Sequence, residues 1–100
     1  MDMRSMDMLK RFLDLLSIEK GLSANTVQAY RHDLETHIAY LKRNGKNPSS
    51  AEANDISRYL SLLKGKGLDA RTIIRALSAV KGFYRHLQSE KVISASPCAL

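Results

Sequence analysis

Residues 69–89 read DARTIIRALSAVKGFYRHLQS, and this stretch decides the fold class. Its large apolar side chains recur at helical spacing and form one stripe, which consists of Ile73, Leu77, Val80, Tyr84 and Leu87 and is broadened by Ile74 and Phe83. Asp69 can accept hydrogen bonds from the free N–H groups of a first turn, so we interpret it as an N-cap. The pattern predicts an amphipathic helix from Ala70 to about Ser89.

Three segments before this stretch show the same helical periodicity. We predict a first helix from about Ser5 to Lys20, a second that follows an N-cap at Ser23 and reaches about Arg43, and a third capped by Asn54 or Asp55. No segment alternates apolar and polar residues as a strand does. The sequence therefore predicts an all-α fold, a single domain of four main helices.

The size and composition of the chain fit one globular unit. With 100 residues it can bury one core, which we assign to residues 1–92, and residues 93–100, with Pro97, read as the start of a linker. Cys98 is the only cysteine, so neither an internal disulfide nor a cysteine zinc site can form, which indicates a reducing compartment. No apolar run is long enough to span a membrane, and we expect a cytoplasmic protein.

The charge is basic and unevenly distributed. The chain carries a net charge of +6, and the segment from Lys64 to Lys91 alone carries +5, from seven basic and two acidic residues. Such an excess favours polyanionic partners, nucleic acid first and an acidic membrane surface second.

The second and fourth helices begin alike. Residues 20–27 read KGLSANTV and residues 66–73 read KGLDARTI, so each start is a glycine turn, a cap and then a threonine. Free N–H groups at the positive end of a helix dipole favour a phosphate. Alternatively, the two turns are simply efficient helix starts.

Polar side chains occupy the faces of these helices that the apolar stripes leave free. In the second helix they are Asn25, Gln28, Arg31 and His32, and in the fourth they are Arg71, Arg75, Ser78 and Gly82, with Arg85 further along. Arginine can pair bidentately with guanine or phosphate, and the small Ser78 and Gly82 would let DNA approach closely. A merely solvated basic face remains the alternative.

Nothing in the sequence resembles an active site. It lacks a Gly-x-Ser-x-Gly elbow and a Walker phosphate loop, and the three histidines have no convincing metal spacing. Each of the four tyrosines holds an apolar helical position, which indicates a packing role. We predict no catalytic residue, no metal and no cofactor.

Ordered blocks of residues resemble the N-terminal core-binding, or SAM-like, domain of tyrosine recombinases of the phage integrase type, in particular the XerC and XerD group. The first blocks are residues 12–19, Gly21-Leu22-Ser23 with Asn25-Thr26, residues 30–34, Asp55-Ile56 and Tyr59-Leu60. The second set is Thr72, Arg75, Leu77-Ser78-Ala79, Lys81, Phe83-Tyr84, Leu87, Ile93 and Ser96-Pro97. One departure is Asp69, where the family often has serine.

The resemblance implies a SAM-like orthogonal bundle that forms half of a clamp, with its second and fourth helices across the major groove of a recombination half-site. It implies DNA contacts from Asn25, Thr26, Gln28 and His32 and from Arg71, Thr72 and Arg75, to which Ser78, Lys81 and Arg85 are added along the same helix. The chemistry of the family, a tyrosine nucleophile assisted by arginines, a lysine and histidines, belongs to a following catalytic domain.

Our leading hypothesis is a non-catalytic domain that binds double-stranded DNA, monomeric when free, with partner recombinase subunits on DNA and no membrane partner. A helical protein-interaction module that uses the first helix is the alternative, and a stand-alone DNA-binding regulator is another.

Overall fold

The computed structural model describes residues 3–98 and contains four α-helices. They are α1 (Met3–Ile18), α2 (Ala24–Arg43), α3 (Ala53–Gly65) and α4 (Ala70–Ser89). The predicted all-α fold of four helices is confirmed, and the bounds of α2 and α4 agree with the sequence pattern. No helix among residues 3–98 is long and apolar enough to cross a membrane.

Helices α2 and α4 form the centre of the bundle. They pack against each other, and each also packs against α1 and α3, whereas α1 and α3 do not touch. The most deeply buried side chains accordingly come from these two helices, with Leu34 and Leu41 on α2 and Ala79, Phe83 and Tyr84 on α4 all at 0% exposure. The two helices predicted to bind DNA are therefore held rigidly by the core.

The apolar stripe of α4 differs from the prediction at one position. Ile74, expected to broaden the stripe, is 63% exposed, while Ala76 and Ala79 are buried. Small residues at these two positions let α4 approach its neighbours closely, so the buried face is rotated away from Ile74. The prediction that Ile74 belongs to the core is wrong.

Three helix ends also differ from the sequence pattern, and the first is the start of α1, at Met3 rather than about Ser5. Helix α1 ends at Ile18 rather than Lys20, because the Leu15 carbonyl accepts the N–H groups of both Glu19 and Lys20 in a closing turn. The N-cap of α3 is Glu52, and the Asp55 carboxylate accepts its backbone N–H at 2.8 Å. Neither Asn54 nor Asp55 is the N-cap, so that prediction is wrong, but Asp55 stabilises the same helix end from its third position.

The segment after α4 returns to the bundle. Val92, Ile93 and Cys98 are half-buried and pack against the core, and Gln88 donates to the carbonyl of Ser94 at 3.3 Å. Residues 93–98 thus lie along the end of α4. Whether they begin a linker stays a prediction, and residues 1, 2, 99 and 100 of the predicted segments lie outside the described part of the chain.

Candidate nucleic-acid interface

The start of α2 combines a glycine turn with two hydroxyl groups. Gly21 has φ of 65°, a value that favours glycine, and the chain then turns into the helix at Ser23. The Ser23 hydroxyl accepts the Thr26 backbone N–H at 3.2 Å and donates to the Thr26 hydroxyl at 3.0 Å. This helix start carries no negative side chain in its first turn, so its positive dipole end is open to an anion.

The start of α4 has the same backbone course but the opposite charge. Gly67 has φ of 72°, and the Asp69 carboxylate accepts the Thr72 backbone N–H at 2.8 Å. That hydrogen bond lowers the pKa of the Asp69 carboxyl, which therefore stays ionised at this position. A carboxylate occupies the place where an anion would bind, so the phosphate interpretation of the repeated start favours α2 over α4.

All eleven sequence-predicted DNA-binding residues reach the surface. Eight are exposed, namely Asn25, Gln28, Arg31, His32, Arg71, Ser78, Lys81 and Arg85, and three are half-buried, namely Thr26, Thr72 and Arg75. They do not form a single patch, however. Seven of them line separate grooves and fall into three groups, whereas Asn25, Thr26, Gln28 and Arg71 line none of these grooves.

The first group surrounds a cleft between α2, α3 and the first half of α4, here called the α2–α4 cleft. It has a volume of about 290 Å³. Its polar wall comes from His32, Asp33, Thr36, Lys66, Thr72 and Arg75, and its apolar part comes from Tyr59, Leu63, Leu68 and Ala76. Two cationic side chains, Lys66 and Arg75, and the imidazole of His32 thus converge on one concave surface.

Arg75 is tied to α2 at this cleft. Its Nε donates to Oδ2 of Asp33 at 2.9 Å, and its Nη2 donates to Oδ1 at 3.0 Å. The Asp33 side chain is only 5% exposed, whereas that of Arg75 is 39% exposed. The hydrogen bond to Asp33 raises the pKa of Arg75. This two-pronged geometry fixes the guanidinium plane and links the two central helices.

Sequence reasoning missed Asp33 and Lys66 as members of this surface. Asp33 was one residue of a resemblance block, and nothing in helical periodicity pairs it with a residue 42 positions away. Lys66 is exposed and follows α3 as its C-cap. The only sign of it was the repeated Lys-Gly-Leu at the two helix starts.

The second group lies along the later half of α4. Ser78 and Arg85 line a groove of about 400 Å³ whose apolar part comes from Phe12, Leu15 and Leu16 of α1. Arg85 also shares a smaller groove with Lys81 and Cys98. This group is basic and exposed, but it is directed toward α1 and the segment after α4 rather than toward the α2–α4 cleft.

Gly82 has a different role from the one predicted. A Cβ atom at this position would lie 3.2 Å from Cζ of Phe12, so the ring would have to move by a few tenths of an ångström to admit it. The absence of a side chain therefore makes room for α1 to pack on α4. The prediction that Gly82 opens the helix to DNA is corrected on this geometry.

Arg31 forms the third group. It lines a groove between α1 and α2 together with Asp7, Asp14, Glu35 and Lys10. Three carboxylates around one arginine reduce the positive potential that a phosphate would meet there. Of the predicted residues, Arg31 has the surroundings least suited to a DNA contact.

The tyrosines are packing residues, as their positions predicted. Tyr59 and Tyr84 are buried, and Tyr30 and Tyr40 are half-buried. Burial raises the pKa of Tyr59 to about 12 and also raises that of Tyr84, which disfavours a phenolate at either site. Among residues 3–98, no group of three or more histidine, cysteine, aspartate or glutamate side chains could hold a metal ion.

Comparison with known proteins gives one family. The profile described as "Phage integrase, N-terminal SAM-like domain" matches residues 9–91, most of the chain. The match covers all of α2, α3 and α4 and most of α1. No solved structure matches at a significant level.

Curated relatives carry recombinase names. The chain is 37% identical over 92 residues to "Tyrosine recombinase XerD" of Rhizobium meliloti (strain 1021), covering 92% of this chain and 30% of the relative. It is 36% identical over 90 residues to "Tyrosine recombinase XerC" of Herpetosiphon aurantiacus, covering 89% of this chain and 29% of the relative. The chain thus spans about a third of the length of these relatives.

Proposed function

We infer a DNA-binding function from the family to which this chain belongs, the N-terminal SAM-like domains of phage integrases. The chain binds double-stranded DNA through α2 and α4 and performs no chemistry itself. In this proposal it is the part of a site-specific tyrosine recombinase that grips the duplex of a recombination half-site.

The α2–α4 cleft is the observation that carries this proposal. Lys66 at the end of α3, His32 of α2 and Arg75 of α4 converge beside Thr72. Exposed Arg71 directly precedes Thr72 in the first turn of α4. Cationic and hydroxyl side chains are the groups that bind phosphates and base edges. Because the supporting helices are fixed by the core, these side chains are presented without prior rearrangement.

The two helix starts contribute differently to the grip. At α2, the uncharged cap and the Ser23 and Thr26 hydroxyls suit a backbone phosphate. At α4, the negative Asp69 carboxylate repels a phosphate from the helix start. The contacts there therefore come from the side chains of Arg71, Thr72 and Arg75. Asn25, Gln28 and His32 extend the surface along α2, whereas Ser78, Lys81 and Arg85, which face α1 and the segment after α4, would contact DNA only beyond the α2–α4 cleft.

The chemistry of strand exchange is proposed to reside outside this domain. The relatives named tyrosine recombinases are about three times as long as the matched segment. Of the tyrosines in this chain, Tyr59 and Tyr84 are buried where DNA cannot reach them. The proposed cytoplasmic location, a free monomer and contacts with other recombinase subunits on DNA follow from the same assignment.

Binding of short duplexes at increasing salt tests this function. If the surface neutralises even four phosphates, the logarithm of the association constant should fall with the logarithm of salt concentration with a slope of roughly −3 to −4. A duplex and a single strand of the same sequence should be compared at each salt concentration. No measurable affinity for duplex at low salt would contradict the proposal.

One observation favours a second function, a protein-interaction surface on α1. Met3 is 82% exposed, Met6 53% and Ile18 79%, and all three belong to this helix. Exposed methionines adapt to varied apolar partners. In that case a partner protein, rather than DNA, would perturb the residues of α1.

A further inference from the structure

We propose that Asp33 is a positioning residue that presents Arg75 end-on to a guanine in the bound duplex, which makes Arg75 a determinant of sequence specificity. This inference rests on the proposed DNA-binding function and goes beyond it by naming the base that the α2–α4 cleft reads.

The hydrogen-bond inventory of Arg75 gives the first step. A guanidinium has five N–H donors in a planar fork. Asp33 takes the N–H of Nε and one N–H of Nη2, at 2.9 and 3.0 Å. The remaining donors are both N–H groups of Nη1 and the second N–H of Nη2. Of these, one N–H of Nη1 and the second N–H of Nη2 lie in parallel at the far end of the fork, directed away from Asp33.

The second step is the direction of exposure. Asp33 and Arg75 both line the α2–α4 cleft, but the Asp33 side chain is only 5% exposed, whereas that of Arg75 is 39% exposed. The carboxylate is thus the recessed member of the pair and the guanidinium is the accessible one. In this proposal the donors that Asp33 does not use are the part of Arg75 that the duplex meets.

The third step is the chemistry of the partner. Two parallel N–H donors at the end of a guanidinium match the O6 and N7 acceptors on the major-groove edge of guanine. A phosphate also accepts two such bonds, but it is the same at every base pair and carries no sequence information. A buried carboxylate that fixes the guanidinium plane contributes most where the orientation of the donors matters. This favours a contact with the base edge over one with a phosphate.

Charge supports the same assignment. The Asp33 carboxylate offsets the charge of Arg75, and the Asp69 carboxylate also acts on it. Arg75 is therefore a weaker attractor of phosphate than exposed Arg71 or Lys66. Arg75 is therefore suited to directional hydrogen bonding, because a directed pair of donors does not depend on a surplus of positive charge.

The test begins with duplexes enriched by this chain from a pool of random sequence. Each guanine of an enriched duplex is replaced in turn by deazaguanine, in which a carbon atom takes the place of the N7 acceptor. We expect one position at which the replacement weakens binding by the wild type about fivefold or more. Arg75→Lys keeps the charge but loses the fork, and it should be insensitive to the replacement at that position.

Asp33→Asn tests the positioning role. It should lose the same position-specific sensitivity while its affinity for a scrambled duplex does not fall, because the charge of Arg75 is retained and the carboxylate that offsets it is removed. Arg58→Lys, the same change on an exposed arginine of α3 outside the proposed surface, should keep the sensitivity. If Asp33→Asn does not fold, the comparison of Arg75→Lys with Arg58→Lys still decides whether Arg75 contacts the guanine.

Three results would overturn the inference. They are tolerance of deazaguanine at every position by the wild type, a sensitivity that Arg75→Lys or a folded Asp33→Asn retains, and a loss in Arg75→Lys that is equal on enriched and scrambled duplexes, which indicates a phosphate contact. Absence of duplex binding by the wild type would instead contradict the proposed function itself, so the two failures are distinguishable.

Discussion

The imidazole Nε2 of His37 lies 2.7 Å from the phenol oxygen of Tyr84, and both side chains are completely buried between α2 and α4. The His37 ring also meets Tyr59 edge-on, with ring centroids 4.7 Å apart. One polar hydrogen bond thus lies inside the apolar interface that holds α2 and α4 together.

Burial of His37 should make the stability depend on pH. Desolvation lowers the pKa of His37 to about 4, although Asp55 nearby opposes this, whereas an unfolded histidine titrates near 6.5. Between these values the unfolded state binds a proton that the folded state does not, so stability falls as pH falls. We expect a loss on the order of 3 kcal/mol of unfolding free energy between about pH 6.5 and 4.

Denaturant unfolding across this pH range measures the effect. His37→Gln should be less stable at neutral pH but should lose this part of the pH dependence. His32→Gln, a change at an exposed histidine of the same helix, should keep it. An unchanged pH profile in His37→Gln would show that other groups cause the acid sensitivity.

Gly82 should not tolerate a branched side chain. The nearest atom of Phe12 lies 3.2 Å from the position of a Cβ, so Gly82→Val must displace the ring or separate α1 from α4. We expect a loss of about 1 to 3 kcal/mol in unfolding free energy. Gly65→Val is the matched control, since no atom lies within 4 Å of its Cβ position and the residue is also helical. Equal stability of the two variants would contradict this packing.

Asp55 should stabilise α3 although it is not the N-cap. Asp55→Ala removes the acceptor of the Glu52 backbone N–H and also the carboxylate that lies 3.5 Å from Nζ of Lys46. We expect thermal or denaturant unfolding to show a loss of about 1 kcal/mol. The neighbouring change Asn54→Ala, at an exposed position, should alter stability by less than about 0.5 kcal/mol. A larger loss of stability in Asn54→Ala than in Asp55→Ala would indicate that Asn54 is the N-cap, as the sequence suggested.

The helices and the contacts between them differ in how far they could be predicted from the sequence. Periodicity predicted all four helices and most of the core, because burial of one face imposes the spacing of apolar residues. It could not show which polar side chains from different helices meet. The pairing of Asp33 with Arg75 and the fit of Phe12 on Gly82 depend on how the helices are placed relative to one another.

The candidate site was partly predictable for the same reason. Exposure of the predicted residues follows from their position opposite the apolar stripes, and the structure agrees. The division of these residues into three groups does not follow from the pattern. Arg31 and His32 are neighbours in sequence, but Arg31 lines a groove with carboxylates of α1, whereas His32 lines the α2–α4 cleft. Their contacts with DNA stay a prediction.

Arg71 should contribute general affinity rather than specificity. It is exposed in the first turn of α4, and we expect Arg71→Ala to weaken duplex binding by about threefold to tenfold on any sequence and to reduce the salt slope by about 1. Arg58→Ala, an equal loss of charge on an exposed position of α3, should change the affinity by less than about twofold. Equal losses in the two variants, measured by fluorescence anisotropy, would mean that only net charge matters.

The central claim, that duplex DNA lies against α2 and the first half of α4, is tested most directly by mapping backbone amide shifts of the isotopically labelled chain during titration with duplex DNA. We predict that the shifts concentrate at residues 23–36 and 66–78, around the α2–α4 cleft. Shifts confined to Met3–Ile18, or spread evenly over all basic residues of the chain, would contradict the claim.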